Sequence, residues 1–212
     1  GNFRTAALIC VNTVLSPAFS ALTCLAIEKK LAKFYDLSNV LNAVVAGLVG
    51  ITGPCGVVSP GGSVVVGIVS GAVYCMSTRV HARLKIDDPV GAIAVHAWPG
   101  LWGVVAPGLL ATKEQVNALG YVAEAGLFYG AGGMQLLVQL IGIVILLVWT
   151  TATSAAVFFA LKLCRVLRVK EEHEVEGMDV AKHGVTSKHW LGTEFQKTEE
   201  LRVDAKNEAL KV

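Results

Sequence analysis

Five long apolar runs alternate with short polar segments along most of the 212-residue chain. Each run approaches or exceeds the roughly 20 residues that an α-helix needs to cross a bilayer. Charged residues gather between the runs and after residue 162. The pattern predicts an all-α, polytopic membrane helix bundle over residues 1–162 and a polar tail over residues 163–212. The five predicted transmembrane spans are residues 5–27, 40–58, 63–78, 89–111 and 134–161.

Composition strengthens the membrane interpretation. Hydrophobic residues make up 54% of the chain and charged residues 16%, and the mean hydropathy is +0.60. These values exclude one or two ordinary soluble domains. The formal net charge of +2 comes without a basic block, so we expect membrane lipids and no nucleic acid as partners. Because the chain begins with Gly and enters an apolar run at once, we expect it to be a piece of a longer or processed polypeptide.

Glycine-containing segments mark the second and third runs. The stretch from Thr52 to Gly56 interrupts the second run, and irregular backbone at membrane depth is tolerated only against protein or water. We therefore expect that end to pack inside a bundle. Gly67 and Gly71 have the four-residue spacing that lets helices approach closely. Packing with a helix of the same chain is favoured over a dedicated dimer motif.

The fourth run contains a single imidazole, His96, inside an apolar sequence that opens with Asp88 and Pro89. Asp caps free backbone N–H groups and Pro fits a first helical turn, so the pattern predicts a helix start there. At about 1.5 Å per residue, His96 would lie roughly 12 Å inward from the cap, near the middle of a bilayer core of roughly 30 Å. An ionisable group at that depth indicates a function. The alternative is a buried histidine that a neighbouring helix satisfies.

Other polar and sulfur-containing residues predict packing more than chemistry. Trp98 and Trp102 share a helix face, which packs into the bundle or lines a pore. Gln135 and Gln139 are expected to form interhelical hydrogen bonds. His81, in the basic segment after the third run, is expected to be solvated. No metal-ligand spacing occurs, so no cofactor or metal is expected, and small buried thiols are predicted for the cysteines, which are Cys10, Cys24, Cys55, Cys75 and Cys164.

Charge sets a predicted orientation. Ten Lys and Arg residues lie on one side of the predicted bundle, counted up to Lys170, against only Arg4 and Lys113 on the other. The positive-inside rule places the C-terminus in the cytoplasm and the N-terminus outside. An odd number of spans also fits one copy of an inverted transporter repeat. An intramembrane enzyme is disfavoured, because a regular helix would hold Asp88 and His96 about 80° apart.

Four motifs, in order, give the chain its resemblance to the ammonium transporter (Amt/Mep/Rh) family. They are Ala46-Gly-Leu-Val-Gly-Ile-Thr-Gly-Pro-Cys-Gly-Val-Val-Ser-Pro60; Asp87-Asp-Pro-Val-Gly-Ala with His96; Leu127-Phe-Tyr-Gly with Gln135 and Gln139; and Leu167-Arg-Val with Glu171-Glu172, Glu176-Gly-Met-Asp179 and His183-Gly184. The match covers residues 5–184 and resembles spans seven to eleven of an eleven-span fold, whose first five spans are related to the next five by an inverted pseudo-twofold.

The resemblance implies ammonium or ammonia transport and not enzymatic activity. Family members form homotrimers, and each subunit has its own narrow pore between its two halves, along two facing histidines. His96 matches the second histidine, and Asp88 matches the acid at the head of that helix, which we treat as a positioning residue. The first histidine belongs to the other half, so this chain would supply one wall of a pore. The alternative is a non-conducting sensor or regulatory fragment of the same fold.

The chain also departs from the family pattern. Ala97 stands where a glycine usually follows the pore histidine, Gly91 replaces an acid of many bacterial members, and Pro54 is one place late. In the tail, Val166 replaces a common hinge glycine, and the threonine that some plant members phosphorylate falls at Ala181. From its residues alone the tail is a solvated charged segment. The resemblance implies docking on a neighbouring subunit and a cytoplasmic regulatory protein as a partner.

Overall fold

Helices make up nearly all the regular structure of the computed structural model, which describes residues 3–31, 36–121 and 124–178. The elements are α1 (Phe3–Leu31), α2 (Leu37–Thr52), α3 (Pro60–Leu84), a π-helical turn (Ile93–Ala97) that continues into α4 (Trp98–Leu110), α5 (Lys113–Ala118), a 3₁₀ turn (Leu127–Tyr129), α6 (Met134–Leu163) and α7 (Glu171–Glu176). Within these ranges there is no strand. The predicted all-α fold is confirmed.

Four of these helical segments are long and apolar enough to cross a membrane: α1, α3, the continuous stretch Ile93–Leu110, and α6. The fifth apolar element, α2, has 16 residues and is shorter than a usual span. Two differences from the predicted bounds lie around the basic segment. α3 continues to Leu84 where the sequence predicted an end near residue 78, and the fourth helix begins at Ala92 and Ile93 instead of Pro89.

Serine hydroxyls join α1 to α2. Ser16 Oγ donates to the Gly47 carbonyl oxygen at 2.9 Å, and Ser20 Oγ donates to the Ala43 carbonyl oxygen at 2.5 Å. The small serine side chains let the two helices approach closely, and their hydroxyls form hydrogen bonds across the contact, as small polar residues do between membrane helices. Both serines are fully buried. The α1–α2 contact is therefore made by polar side chains inside two apolar helices.

Glycines bring α3 against the same face of α1. A Cβ at Gly67 would meet the backbone of Ser16, and a Cβ at Gly71 would meet the backbone of Ser20. Neither position has room for a larger side chain. The close packing expected from the four-residue glycine spacing is made with a helix of the same chain.

Asn12 fixes the irregular connection between α2 and α3. Its Nδ2 donates to the carbonyl oxygens of Cys55 at 2.8 Å and Val58 at 3.0 Å, and its side chain is fully buried. Val58 also forms an isolated antiparallel bridge with Ala111, directly after α4. The broken end of the second apolar run is thus packed against protein, as its sequence predicts.

The chain divides into two units, residues 1–149 and residues 150–212. α6 runs through both, and none of its residues is buried. In the second unit, Arg168 forms an exposed ion pair with Glu174 at 2.6 Å. The predictions made at Ala181 and at His183 lie outside the described residues.

The cysteines are divided between inner and outer faces of the helices. All five are free: Cys24 and Cys75 are buried and Cys55 is half-buried, but Cys10 and Cys164 are exposed. The prediction of buried thiols is wrong for the last two, because a position in an apolar run can face outward from the bundle as well as inward.

Candidate functional site

A tight turn and an aspartate begin the fourth apolar helix. Gly91 N donates to the Asp88 carbonyl oxygen at 3.0 Å, and Gly91 has a φ of +69°, so this position suits a residue without a Cβ. The predicted start at Pro89 is wrong, because Pro89 lies within this turn. The Asp88 side chain still reaches the helix: its Oδ2 accepts from Ile93 N at 3.0 Å and Ala94 N at 3.2 Å.

His96 lies on the outer face of the π-helical turn. Its neighbours Ala94 and Val95 are buried in the cluster that contains Cys24 and Tyr74, whereas His96 itself is exposed. Among the described residues it has no hydrogen-bond partner. Within the described ranges, no neighbouring helix therefore buries or satisfies the His96 side chain.

His81 differs from its prediction. It lies in the last turn of α3 with 5% of its surface exposed, instead of in a solvated loop. Trp98 Nε1 donates to His81 Nε2 at 3.1 Å, and the two ring centroids are 6.4 Å apart. His81 Nδ1 lies 3.9 Å from Asp88 Oδ2 and has no hydrogen-bond partner. The structure thus brings Asp88, His81 and Trp98 together, from a turn and two helices.

A periodic signal for His81 is present in the sequence. Gly67, Gly71, Tyr74, Ser77 and His81 follow one another at three- or four-residue steps, and all five are buried. This spacing is that of one helix face. Arg79 and Arg83 obscured it, because basic residues suggest a loop, although these two lie within the same helix and off its buried face.

The two tryptophans of the fourth helix both bind α3. Trp102 Nε1 donates to the Val66 carbonyl oxygen at 3.2 Å, and its ring packs against a core cluster that contains Val66 and Ile51. Packing into the bundle therefore describes Trp102. Trp98 combines its hydrogen bond to His81 with a ring that is 45% exposed.

A cavity of about 330 Å³ lies beside the start of α6. Its lining includes Tyr121, Glu124, Gln135 and Gln139. The interhelical hydrogen bonds predicted for the two glutamines are not formed within the part of the chain that the structure describes. Their side chains line a recess at the α6 surface instead.

A second cavity, of about 250 Å³, lies between the end of α1 and α3. Glu28 lines it and is 4% exposed. Its carboxylate accepts from Asp36 N at 3.2 Å and from Asn39 Nδ2 at 2.8 Å. Because both oxygens are satisfied by protein donors, the cavity is stabilised without a ligand. No group of three His, Cys, Asp or Glu residues suited to a metal occurs within the described ranges.

Three comparisons place this geometry among known proteins. The Ammonium Transporter Family profile matches residues 1–188. Ammonium transporter 1 member 2 of Arabidopsis thaliana is 35% identical over 186 residues, which is 87% of this chain and 36% of that protein. The crystal structure of Candida albicans Mep2 superposes with a TM-score of 0.73 at 26% identity, over 80% of this chain and 38% of that one. The solved structure of a sensor Amt protein gives 0.72 at 28% identity, over 84% and 42%.

The chain therefore spans 36% to 42% of the length of these relatives. The family comprises transporters and not enzymes. Together with several long apolar helices, this makes the chain a membrane protein. Since the family profile extends over residues 1–188, the chain belongs to the ammonium transporter family.

Proposed function

We propose that this chain is part of a protein that conducts ammonium or ammonia across the cell membrane through a pore within each subunit, with His96 in the pore wall. One observation carries the proposal most directly: His96 is an exposed imidazole on an otherwise apolar membrane helix, and no described residue bonds to it. Lipid is a poor environment for such a group, so a water-filled path or a polar partner surface must face it.

The other wall of the pore lies outside this chain. The chain spans 36% of the Arabidopsis relative, and an inverted transporter repeat needs its second copy to enclose a path. The second copy supplies a histidine that faces His96, and three such subunits form a homotrimer. The Lys and Arg distribution favours a cytoplasmic C-terminus, where the tail contacts a neighbouring subunit or a cytoplasmic regulatory protein.

An imidazole suits ammonia conduction for a chemical reason. The neutral ring has one nitrogen that donates and one that accepts a hydrogen bond. It can therefore bind ammonia from either side, or relay a proton, without a fixed positive charge that would repel ammonium. Asp88 has a separate role: its carboxylate is bonded to Ile93 N and Ala94 N, so it positions the start of the helix and does not contact the permeating molecule.

The test is His96→Ala in the full-length protein that carries this chain. Initial uptake of labelled ammonium or methylammonium into proteoliposomes is measured at equal amounts of reconstituted protein. We expect a loss of at least about tenfold, which corresponds to roughly 1.4 kcal/mol of barrier height. Asn117→Ala, at an exposed position of α5 outside the tail, is the control and should leave uptake unchanged. Normal uptake by the His96 variant would contradict the proposal.

A second candidate function is a sensor or regulatory subunit of the same fold that does not conduct. The fold that this chain shares with a sensor Amt protein favours it. Liposome uptake separates the two functions: a sensor binds ammonium, measured by calorimetry, without uptake above that of empty liposomes. If it acts as a regulatory subunit, it should change uptake by a transporter of the family on co-reconstitution.

A further inference from the structure

We infer that His81 is a positioning residue for His96, and that it acts through hydrogen bonding to Trp98 and attraction to Asp88. The inference rests on the proposed function. His81 belongs to α3, whereas the two residues it faces lie on either side of the π-helical turn that carries His96. A single buried side chain thus connects both ends of that turn to a different helix.

The chemistry of the three groups fixes how the imidazole is protonated. An indole N–H can only donate, so the nitrogen that it meets, His81 Nε2, must carry a lone pair. The neutral ring then has its hydrogen on Nδ1. That atom faces Asp88 Oδ2 at 3.9 Å, which is longer than a hydrogen bond. The His81 imidazole thus lies between the Asp88 carboxylate and the Trp98 indole, with one ring nitrogen directed toward each.

Burial makes this arrangement costly to disturb. The side chains of His81 and Asp88 are only 7% and 9% exposed, and Asp88 Oδ2 already accepts two backbone N–H groups. If the imidazole is removed, the Trp98 N–H loses the acceptor that the buried His81 side chain supplies, which is more costly than loss of a hydrogen bond between two exposed groups.

The element that His81 restrains is the π-helical turn. A π turn is rare and often occurs at functional sites. Its first N–H groups are bonded to Asp88, and Trp98 follows its last residue. With Asp88 and Trp98 both held near His81, the intervening turn has little freedom to relax into regular α-helix. His96, within that turn, therefore keeps its direction through contacts it does not make itself.

The experiment compares two substitutions of similar size in the full-length protein. Glutamine has an oxygen that accepts from Trp98 and an amide that donates toward Asp88, whereas leucine has neither. We expect His81→Leu to lower the uptake rate roughly tenfold and His81→Gln to restore most of it. Trp98→Phe, which removes the indole donor, should resemble His81→Leu, and the double variant His81→Leu/Trp98→Phe should be no worse than either.

A readout independent of transport follows the side chains directly. In NMR spectra of the isotope-labelled protein, the imidazole resonances of His96 should move in His81→Leu and in Trp98→Phe and return in His81→Gln. A role in packing alone predicts that leucine is tolerated at least as well as glutamine, and this order would overturn the inference. Unmoved His96 resonances in His81→Leu would overturn it too.

Failure of this inference can be distinguished from failure of the proposed function. If His96→Ala abolishes uptake but glutamine does not rescue the His81 position, only the positioning role is lost. If His96→Ala has no effect on uptake while the His96 resonances still respond to His81, the positioning contact exists and the transport role of His96 is wrong. If His81→Leu does not fold, Trp98→Phe carries the test, since unchanged uptake and unmoved His96 resonances in that variant would overturn the inference.

Discussion

The seam where α1, α2 and α3 meet and the surface of α6 show opposite relations between apolarity and burial. α6 is the most apolar of the four long helices, and none of its residues is buried. The α1–α3 seam is made by Ser16, Ser20, Gly67 and Gly71, which are small or polar and buried. In a membrane protein both lipid and interior are apolar, so hydrophobicity does not distinguish them. Small and polar residues indicate the contacts between helices.

The two histidines of unit 1 show the same contrast. His81 lies within a basic segment and is buried, and His96 lies within an apolar run and is exposed. An apolar neighbourhood therefore predicts depth in the membrane but not contact within the chain.

The largest expected effect comes from comparing the seam with the α6 surface. The same substitution, glycine to leucine, is made at one glycine of each, in separate variants. Gly67→Leu places a side chain against the backbone of Ser16, whereas nothing lies within 4 Å of a Cβ at Gly142. We expect Gly67→Leu to lower the free energy of unfolding by about 3 kcal/mol or more, because a backbone clash cannot be relieved by a rotamer change. Thermal unfolding in detergent and yield from membranes measure it. Equal damage from Gly142→Leu would show that the α6 surface is covered in the assembled protein.

A smaller effect is expected where a buried amide fixes the α2–α3 connection. Asn12→Ala leaves the carbonyls of Cys55 and Val58 without their side-chain donor. Such buried groups cost about 2 kcal/mol when unsatisfied. Asn117→Ala, at an exposed position of α5, is the matched control and should stay within experimental error. Equal unfolding temperatures for Asn12→Ala and Asn117→Ala would contradict the stabilising role of the buried amide.

The smallest expected effect concerns the turn before His96. Asp88→Ala removes the acceptor of two backbone N–H groups, which costs about 1 kcal/mol for a typical cap. Asp87→Ala changes an adjacent exposed acid and should have almost no effect on stability. The unfolding midpoints of the two variants, measured side by side in detergent, give the difference. A lower unfolding midpoint for Asp87→Ala than for Asp88→Ala would contradict the assignment of the capping role to Asp88.

Much of the fold could be predicted because apolar length and turn chemistry act locally. The five apolar runs correspond to five helical elements, and the interruption after Ile51 is a turn in the structure. The spacing of Gly67 and Gly71 indicated a close helix contact, since two glycines on one helix face let the backbone of another helix approach.

The remaining features depend on contacts that no local pattern contains. The burial of His81 follows the periodic face of α3, but its hydrogen bond from Trp98, 17 residues later, has no local signal. Gln135 and Gln139 line a cavity, although their spacing favoured hydrogen bonds to a neighbouring helix. The helical angle that separated Asp88 from His96 does not apply, because Asp88 precedes the helix and the intervening turn is π-helical.

The π-helical turn Ile93–Ala97 has a consequence for residue counting along the fourth span. Its hydrogen bonds join residues five apart instead of four, so it adds one residue to the turn, and one residue in an α-helix is a rotation of roughly 100°. α4 is therefore out of phase with a helical wheel that starts before Ile93. A relative of equal length with a regular α-helix here would therefore turn a different stripe of α4 toward α3, whereas a relative one residue shorter would present the same stripe, because the wider turn absorbs the extra residue. The register of α4 thus depends on the residue count and on the π turn together.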